Sequence, residues 1–208
     1  MLGIVYATTH GHTGKIVAHL AETLRAEGFD VEVAEPGDEA QRLIGRCDAV
    51  LVAGSVHRGS HQPELVAFVR RHLHALQNVP SGFVSVSLTA AEDDDELRAE
   101  TSRMVDEFVE DTGWTPDATA TVAGAFQFSK YSPFERLVMR LIARRHDIEI
   151  DPREDLELTD WTALERFARD FVERLRSHRR AAGAPAKPGG GGSAAFSEWE
   201  QAVPPRDS

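Results

Sequence analysis

Cysteine occurs once in the 208 residues, at Cys47, which excludes a disulfide framework and any cysteine-built metal centre. Placed just before the apolar run Ala49 to Ala53, it reads as a small, partly buried residue. Lysine is confined to Lys15, Lys130 and Lys187, and the net charge is −11. A chain this acidic is not expected to bind nucleic acid, whose phosphates demand a basic surface. The arginine-for-lysine bias fits a high-salt cytoplasm or a GC-rich coding sequence, and composition leaves both open. No apolar run approaches the roughly 20 residues needed to span a bilayer. Nor do the first residues carry a basic stretch followed by an apolar one, as a leader would. The expectation is a cytoplasmic protein, with a peripheral contact at the inner face of the cell membrane as the alternative. At 208 residues the chain suits one domain plus an extension.

What is present concentrates in the first fifteen residues. The apolar run Leu2 to Ala7 leads directly into Thr8-Thr9-His10-Gly11-His12-Thr13-Gly14-Lys15, and a helix follows with Ile16, Val17, Leu20 and Leu24 on one side. A strand that ends in hydroxyls and glycine and then opens a helix suits a phosphate, held where the hydroxyls and free N–H groups meet the positive helix end. The segment lacks the first glycine and the hydroxyl of G-x-x-x-x-G-K-[ST], and it lacks the earlier glycine of G-x-G-x-x-G. A hydroxyl-rich loop of this kind points to a single phosphomonoester and so to a mononucleotide such as FMN. The competing reading is an ordinary βα turn with Thr13 as helix cap.

Downstream, strand and helix alternate as a parallel sheet covered on both faces requires. Strands are predicted at Val31–Ala34, Ala49–Ala53, Gly82–Leu88 and Thr119–Phe126. Helices are predicted from Pro63 through Leu65, Phe68, Val69, Leu73 and Leu76, over Glu96–Asp111, and from Asp160 through Trp161, Leu164, Phe167, Phe171, Val172 and Leu175. Trp114-Thr115-Pro116-Asp117 reads as a turn. The fold class is α/β, a doubly wound five-stranded parallel sheet in the order 2-1-3-4-5 with helices on both faces. Such sheets bind ligands at the carboxyl ends of their strands, beside the switch point.

Two further loops lie at that edge. Gly54-Ser55-Val56-His57-Arg58-Gly59-Ser60-His61 follows the third strand, and Ser87-Leu88-Thr89-Ala90-Ala91 follows the fourth. Both are small and rich in hydroxyls and backbone donors, and suit a flat, polar-edged ring. For Gly54 or Gly59 taken singly, turn geometry is the simpler explanation. His57 and His61 stand at i, i+4 in a loop with no carboxylate or cysteine nearby to complete a metal set, so no metal is expected. The run Glu92 to Glu96 reads as a solvated loop that charges the next helix N-terminus.

With these loops in hand the chain resembles the flavodoxin family. Thr8 to Thr13 looks like its FMN-phosphate loop. Gly54 to Gly59, Trp114 to Asp117 leading into Val122-Ala123-Gly124-Ala125, Tyr131, Phe134-Glu135-Arg136, Met139, Thr159-Asp160-Trp161 and Phe167-Ala168 are similar to the branch of menaquinone-dependent protoporphyrinogen oxidases. The resemblance covers roughly residues 1–176. It implies non-covalent FMN held by Thr8, Thr9, His10, Gly11, His12, Thr13, Gly54, Ser55, Val56, His57, Arg58, Gly59, Ser87, Leu88, Thr89 and Ala90. It also implies six-electron oxidation of protoporphyrinogen IX in haem synthesis, with a quinone as acceptor. The rivals are an FMN-dependent NAD(P)H:quinone reductase and a non-catalytic electron-transfer flavodoxin. Homo-oligomer formation is left open.

Residue chemistry favours an enzyme over a carrier. Neither Gly54–His61 nor Ser87–Ala91 contains Trp, Tyr or Phe, so a bound flavin keeps a face open for a substrate carbon to reach it. Between the fifth strand and the last helix lies an insertion, Gln127 to Leu158, long enough to be functional. Phe134, Leu137, Val138, Leu141 and Ile142 make an apolar helical stripe there, and Arg136, Arg140 and Arg144 follow at i, i+4, i+8. This segment reads either as a helix packed on the sheet with a solvated basic edge, or as a lid or membrane-facing surface. In the second case Tyr131, Arg136, Arg140 and Arg144 meet an apolar tetrapyrrole and its propionates. The flavin domain is expected over 1–177. Residues 178–208, with Ala184-Pro185-Ala186-Lys187-Pro188 and the Gly189–Gly192 run, are expected to be a disordered tail, in which Ser197-Glu198-Trp199-Glu200 is an alternative docking motif.

Overall fold

A computed structural model describes residues 1–57, 59–88, 90, 95–126, 156–181 and 183. The first strand, β1 (Leu2–Ala7), is apolar and almost wholly buried because it lies mid-sheet with helices on both faces. Around it run β2 (Val31–Ala34), β3 (Ala49–His57), a short β4 (Ser60–His61), β5 (Ser81–Ser87) and β6 (Ala118–Ala123). The order is β2-β1-β3-β5-β6, all parallel, and β4 pairs back antiparallel on the end of β3. Counting only the parallel strands, this is the expected 2-1-3-4-5 order. A separate two-stranded ladder joins β7 (Ala125–Phe126) to β8 (Leu156–Glu157).

Parallel neighbours need crossover helices. These are α1 (His12–Ala26), α2 (Asp38–Ile44), α3 (Pro63–Arg71), α4 (Leu73–Gln77), α5 (Asp95–Thr112) and the final α6 (Trp161–Ala181). Alternate residues along each strand feed two cores. Leu2, Ile4, Leu51 and Val84 pack with Ile16, Leu20 and Leu24 of α1 and with Leu164, Phe171 and Leu175 of α6. Val5, Val50, Val52 and Phe83 pack with Leu43, Leu65, Phe108 and Trp114 on the other face. The α6 residues Leu164, Ala168, Phe171, Val172 and Leu175 form one apolar stripe at helical spacing. Its start at Asp160 is fixed by a cap, the Ala163 N–H donating to Asp160 Oδ1 at 2.9 Å.

The structure departs from the sequence expectations at several points. The third strand runs past Ala53 to His57 because Gly54 and Ser55 continue the parallel ladder on β5 and Val56 and His57 pair into a hairpin with β4. The fifth strand stops at Ala123 and restarts at Ala125 in another ladder, with Gly124 donating to the Ser87 carbonyl at 3.0 Å. The helix beginning at Pro63 breaks at His72 into α3 and α4. The short helix α2 was not foreseen. Cys47 is fully buried rather than partly so, and burial pushes its thiol up to about 12, which removes it from thiolate chemistry at neutral pH. Helix α6 also continues past Ser177 to Ala181, where Arg179 reaches Asp48 at 3.3 Å and lies over the Phe29 ring, so the folded part extends beyond 177. Among the described residues, no helix is long and apolar enough to cross a membrane.

Candidate cofactor site

The carboxyl ends of β1, β3 and β5 are in register, with Ala7 opposite Gly54 and Gly54 opposite Ser85. From β1 the chain crosses outward to β2 and then returns to β3 on the other side. The switch point is therefore the crevice between β1 and β3.

The loop after β1 is closed by Thr8, whose Oγ1 accepts the Gly11 N–H at 2.9 Å. Gly11 holds φ 90, a left-handed conformation that glycine adopts without a Cβ penalty, and it stands as the N-cap of α1. No side chain caps the helix, so the reading of Thr13 as an ordinary cap fails. Thr13 is instead the second residue of α1, 1% exposed, and its Oγ1 has no hydrogen-bond partner among the described residues. An uncapped helix start with an unpaired buried hydroxyl beside it matches the donor set that a phosphate dianion needs.

The remaining members of the loop have distinct placements. Thr9 is exposed, and its hydroxyl accepts from Gln62 Nε2 at 3.2 Å. The His10 ring stands 5.8 Å from that of His57. The His12 ring turns inward, its Nε2 lying 2.8 Å from Thr159 Oγ1. Lys15 pairs with Glu157 and lies over the Trp161 ring, and its hydrogen bond holds the Glu157 carboxyl below its ordinary range.

The second loop is a β-hairpin rather than an irregular segment. Val56 faces His61 and His57 faces Ser60, and Gly59 turns the chain at φ 83. Gly54 is small for packing reasons, because a Cβ there would lie 2.5 Å from Leu65 Cδ2 and 3.3 Å from the His61 ring. Ser55, Val56 and His57 are half-buried along the crevice, and Ser87 is buried with Leu88 and Ala90 half-buried beside it. The structure therefore brings the first and second loops together directly and sets the third alongside through the strand register. Arg58, Thr89, Tyr131, Arg136, Arg140 and Arg144 lie outside the described residues.

Gln62, which sequence reasoning missed, joins the two loops. Its amide reaches both Thr9 and Ser55, and it is 6% exposed with Oε1 unpaired among the described residues. The available signal was a polar residue directly before the helix-starting Pro63. His61 is not poised to share a metal with His57. It packs edge-on against the stacked rings of Phe83 and Phe108, with its Nε2 3.0 Å from Ser85 Oγ. No cluster of His, Cys, Asp and Glu able to hold a metal occurs among the described residues.

Burial lowers the His61 pKa from 6.5 to about 4. Between those values the unfolded chain carries a proton that the native chain does not. Stability from this group is thus complete above about pH 6.5 and falls as the pH drops toward 4. The loss amounts to roughly 3 kcal/mol across the window. Urea unfolding of the wild type and of His61→Gln from pH 4.5 to 7.5 checks this. The wild type should show the steeper dependence, and superimposable curves would remove His61 as the cause.

The flavodoxin domain family profile matches residues 3–152. The chain is 29% identical over 169 residues to the protoporphyrinogen IX dehydrogenase [quinone] of Escherichia coli (strain K12), covering 81% of this chain and 93% of that protein. Against the protein of the same name from Leishmania major it is 30% identical over 170 residues, covering 81% of this chain and 73% of that one. In structure it overlays a Streptococcus pneumoniae TIGR4 flavodoxin with a TM-score of 0.50 at 20% identity, over 83% of this chain and 98% of that one. The chain belongs to the flavodoxin domain family and is an oxidoreductase within it.

Proposed function

We propose that this chain binds FMN without a covalent bond and oxidises protoporphyrinogen IX to protoporphyrin IX, passing the electrons to a quinone. The observation that carries the reading is the uncapped start of α1 with the unpaired Thr13 hydroxyl, set beside the β3–β4 hairpin. The names of the curated relatives support the substrate and the acceptor. When bound, the flavin ring supplies two-electron acceptance from a carbon donor and return of the electrons to a quinone.

The residues of the chain do the rest. Thr8, Thr13 and the first-turn N–H groups of α1 hold the phosphate. Gly54 to His57, with Ser87, Leu88 and Ala90, line the ring edge, and Gln62 keeps that hairpin at a fixed distance from the phosphate loop. The described hairpin and third-loop residues include no Trp, Tyr or Phe, which leaves room for a flat apolar substrate to approach at contact distance. Removing six electrons and six protons from the porphyrinogen then takes three turns of a two-electron cycle. Arg58 and Thr89 at the ring, and Tyr131, Arg136, Arg140 and Arg144 as partners of the substrate, are proposed on sequence alone.

Anaerobic mixing of the purified, flavin-loaded protein with protoporphyrinogen IX tests the reading. The yellow absorbance should bleach as porphyrin absorbance rises, and a quinone should restore it. Bleaching by NADPH with none by the porphyrinogen would indicate a reductase instead. No bleaching by either small molecule would point to an electron carrier.

A further inference from the structure

Thr159 and Ala123 lie far from the phosphate loop in sequence, yet Thr159 bridges Ala123 to its first helical residue. The Thr159 hydroxyl is 2.7 Å from the Ala123 carbonyl oxygen and 2.8 Å from His12 Nε2. A carbonyl only accepts, so the single hydroxyl proton is committed to Ala123. His12 must therefore carry its proton on Nε2 and donate it to the hydroxyl oxygen. This fixes both the ring orientation and the tautomer. His12 and Thr159 are 8% and 9% exposed, so water competes little for this chain of bonds. A second tie runs in parallel: Lys15 pairs with Glu157, whose other oxygen accepts from Trp161 Nε1 at 2.8 Å. The first turn of α1 is thus clamped at two points to the join between β8 and α6.

We infer that Thr159 is a positioning residue for the cofactor phosphate, acting through His12 to hold the first turn of α1 in its anion-binding arrangement. The inference rests on the phosphate reading given above, and it adds a residue remote from the loop. His12 is followed directly by Thr13, the residue with the unpaired buried hydroxyl. A ring tied to Thr159 restrains the backbone of the first residue of α1, beside the N–H groups and the hydroxyl that converge on the anion. A preorganised site loses affinity when its supports are cut, even though every direct ligand remains.

The test compares FMN with riboflavin, which has the same ring and ribityl chain but no phosphate. Fluorescence titration of the full-length apoprotein gives both dissociation constants. For Thr159→Val the FMN constant should rise about tenfold, which corresponds to about 1.4 kcal/mol, while the riboflavin constant stays unchanged. Thr159→Ser, which keeps the hydroxyl, should restore FMN binding. Equal weakening of both ligands would make Thr159 a general structural residue and overturn the inference, as would wild-type affinity for FMN in the valine variant. A wild type that binds FMN no better than riboflavin would overturn the phosphate reading itself, and this inference with it.

Discussion

Riboflavin is expected to bind this protein about a thousandfold more weakly than FMN. Helix α1 starts at His12, after the N-cap Gly11 and with no side-chain cap, so its first N–H groups are available to an anion at the positive end of the helix dipole. The Thr13 hydroxyl has no partner among the described residues and sits at that same end. Hydrogen bonds to a charged group contribute about 1.5–3 kcal/mol each, and the dipole adds up to about 1 kcal/mol. Two such bonds at the lower end of that range, with the dipole, give about 4 kcal/mol, which sets the ratio. Thr13→Val separates this account from a purely structural one, because its two effects have opposite signs. Valine has nearly the same shape and no hydroxyl, so it relieves an unsatisfied buried polar group. The apoprotein should be as stable as the wild type or slightly more so, while the FMN constant rises about tenfold to a hundredfold. Comparable affinities for the two flavins in the wild type would count against a phosphate at α1. So would a Thr13→Val apoprotein that melts well below the wild type.

Much of this site could be read in the sequence because it is built from local chemistry. A hydroxyl-rich segment between an apolar strand and an amphipathic helix declares itself within fifteen residues. The buried run Ala49–Ala53 likewise implies a central parallel strand. What escaped depends on contacts between distant segments. The His12–Thr159 bond joins residues separated by 147 positions, and the Gln62–Thr9 bond joins residues separated by 53. Neither leaves a periodic trace. The extension of β3 into a hairpin was hidden because Ser55, His57 and Ser60 are polar, and the pairing is marked only by Gly59 at its turn. Helix α2 was missed because seven residues with Ala40, Leu43 and Ile44 as the only buried ones give too short a stripe to stand out. Trp114 looked like part of a turn, and it lies in the link between α5 and β6. Its ring is nevertheless fully buried against Phe83 and Phe108, a role that only the packing of α5 on the sheet could reveal.

That aromatic cluster carries the other large expected effect. Phe108→Ala should destabilise the protein by about 3–5 kcal/mol, a large part of what holds a domain of this size folded. The Phe108 ring stacks on Phe83 with centroids 4.2 Å apart and meets the edges of Trp114 and His61 at 6.4 and 4.9 Å. Because Phe83, Trp114 and His61 around the ring are themselves held in the sheet and its flanking loops, the gap left by the ring cannot close completely. It would open beside His61, the last residue of the hairpin that carries Ser55, Val56 and His57. Two consequences follow beyond lower stability. Water entering the gap should return the His61 pKa toward 6.5, so the pH dependence of stability flattens. A looser hairpin should also weaken FMN and riboflavin by the same factor, because it bears on the ring and not on the phosphate. The ratio of the two flavin constants therefore separates the halves of the site: Thr159→Val lowers it, and Phe108→Ala leaves it unchanged. Phe108→Leu, which refills most of the volume, should recover most of the stability. If Phe108→Ala instead lowered the FMN-to-riboflavin preference, the hairpin and the phosphate loop would be one mechanical unit. Gln62, whose amide spans Thr9 and Ser55, would then be the residue that couples them.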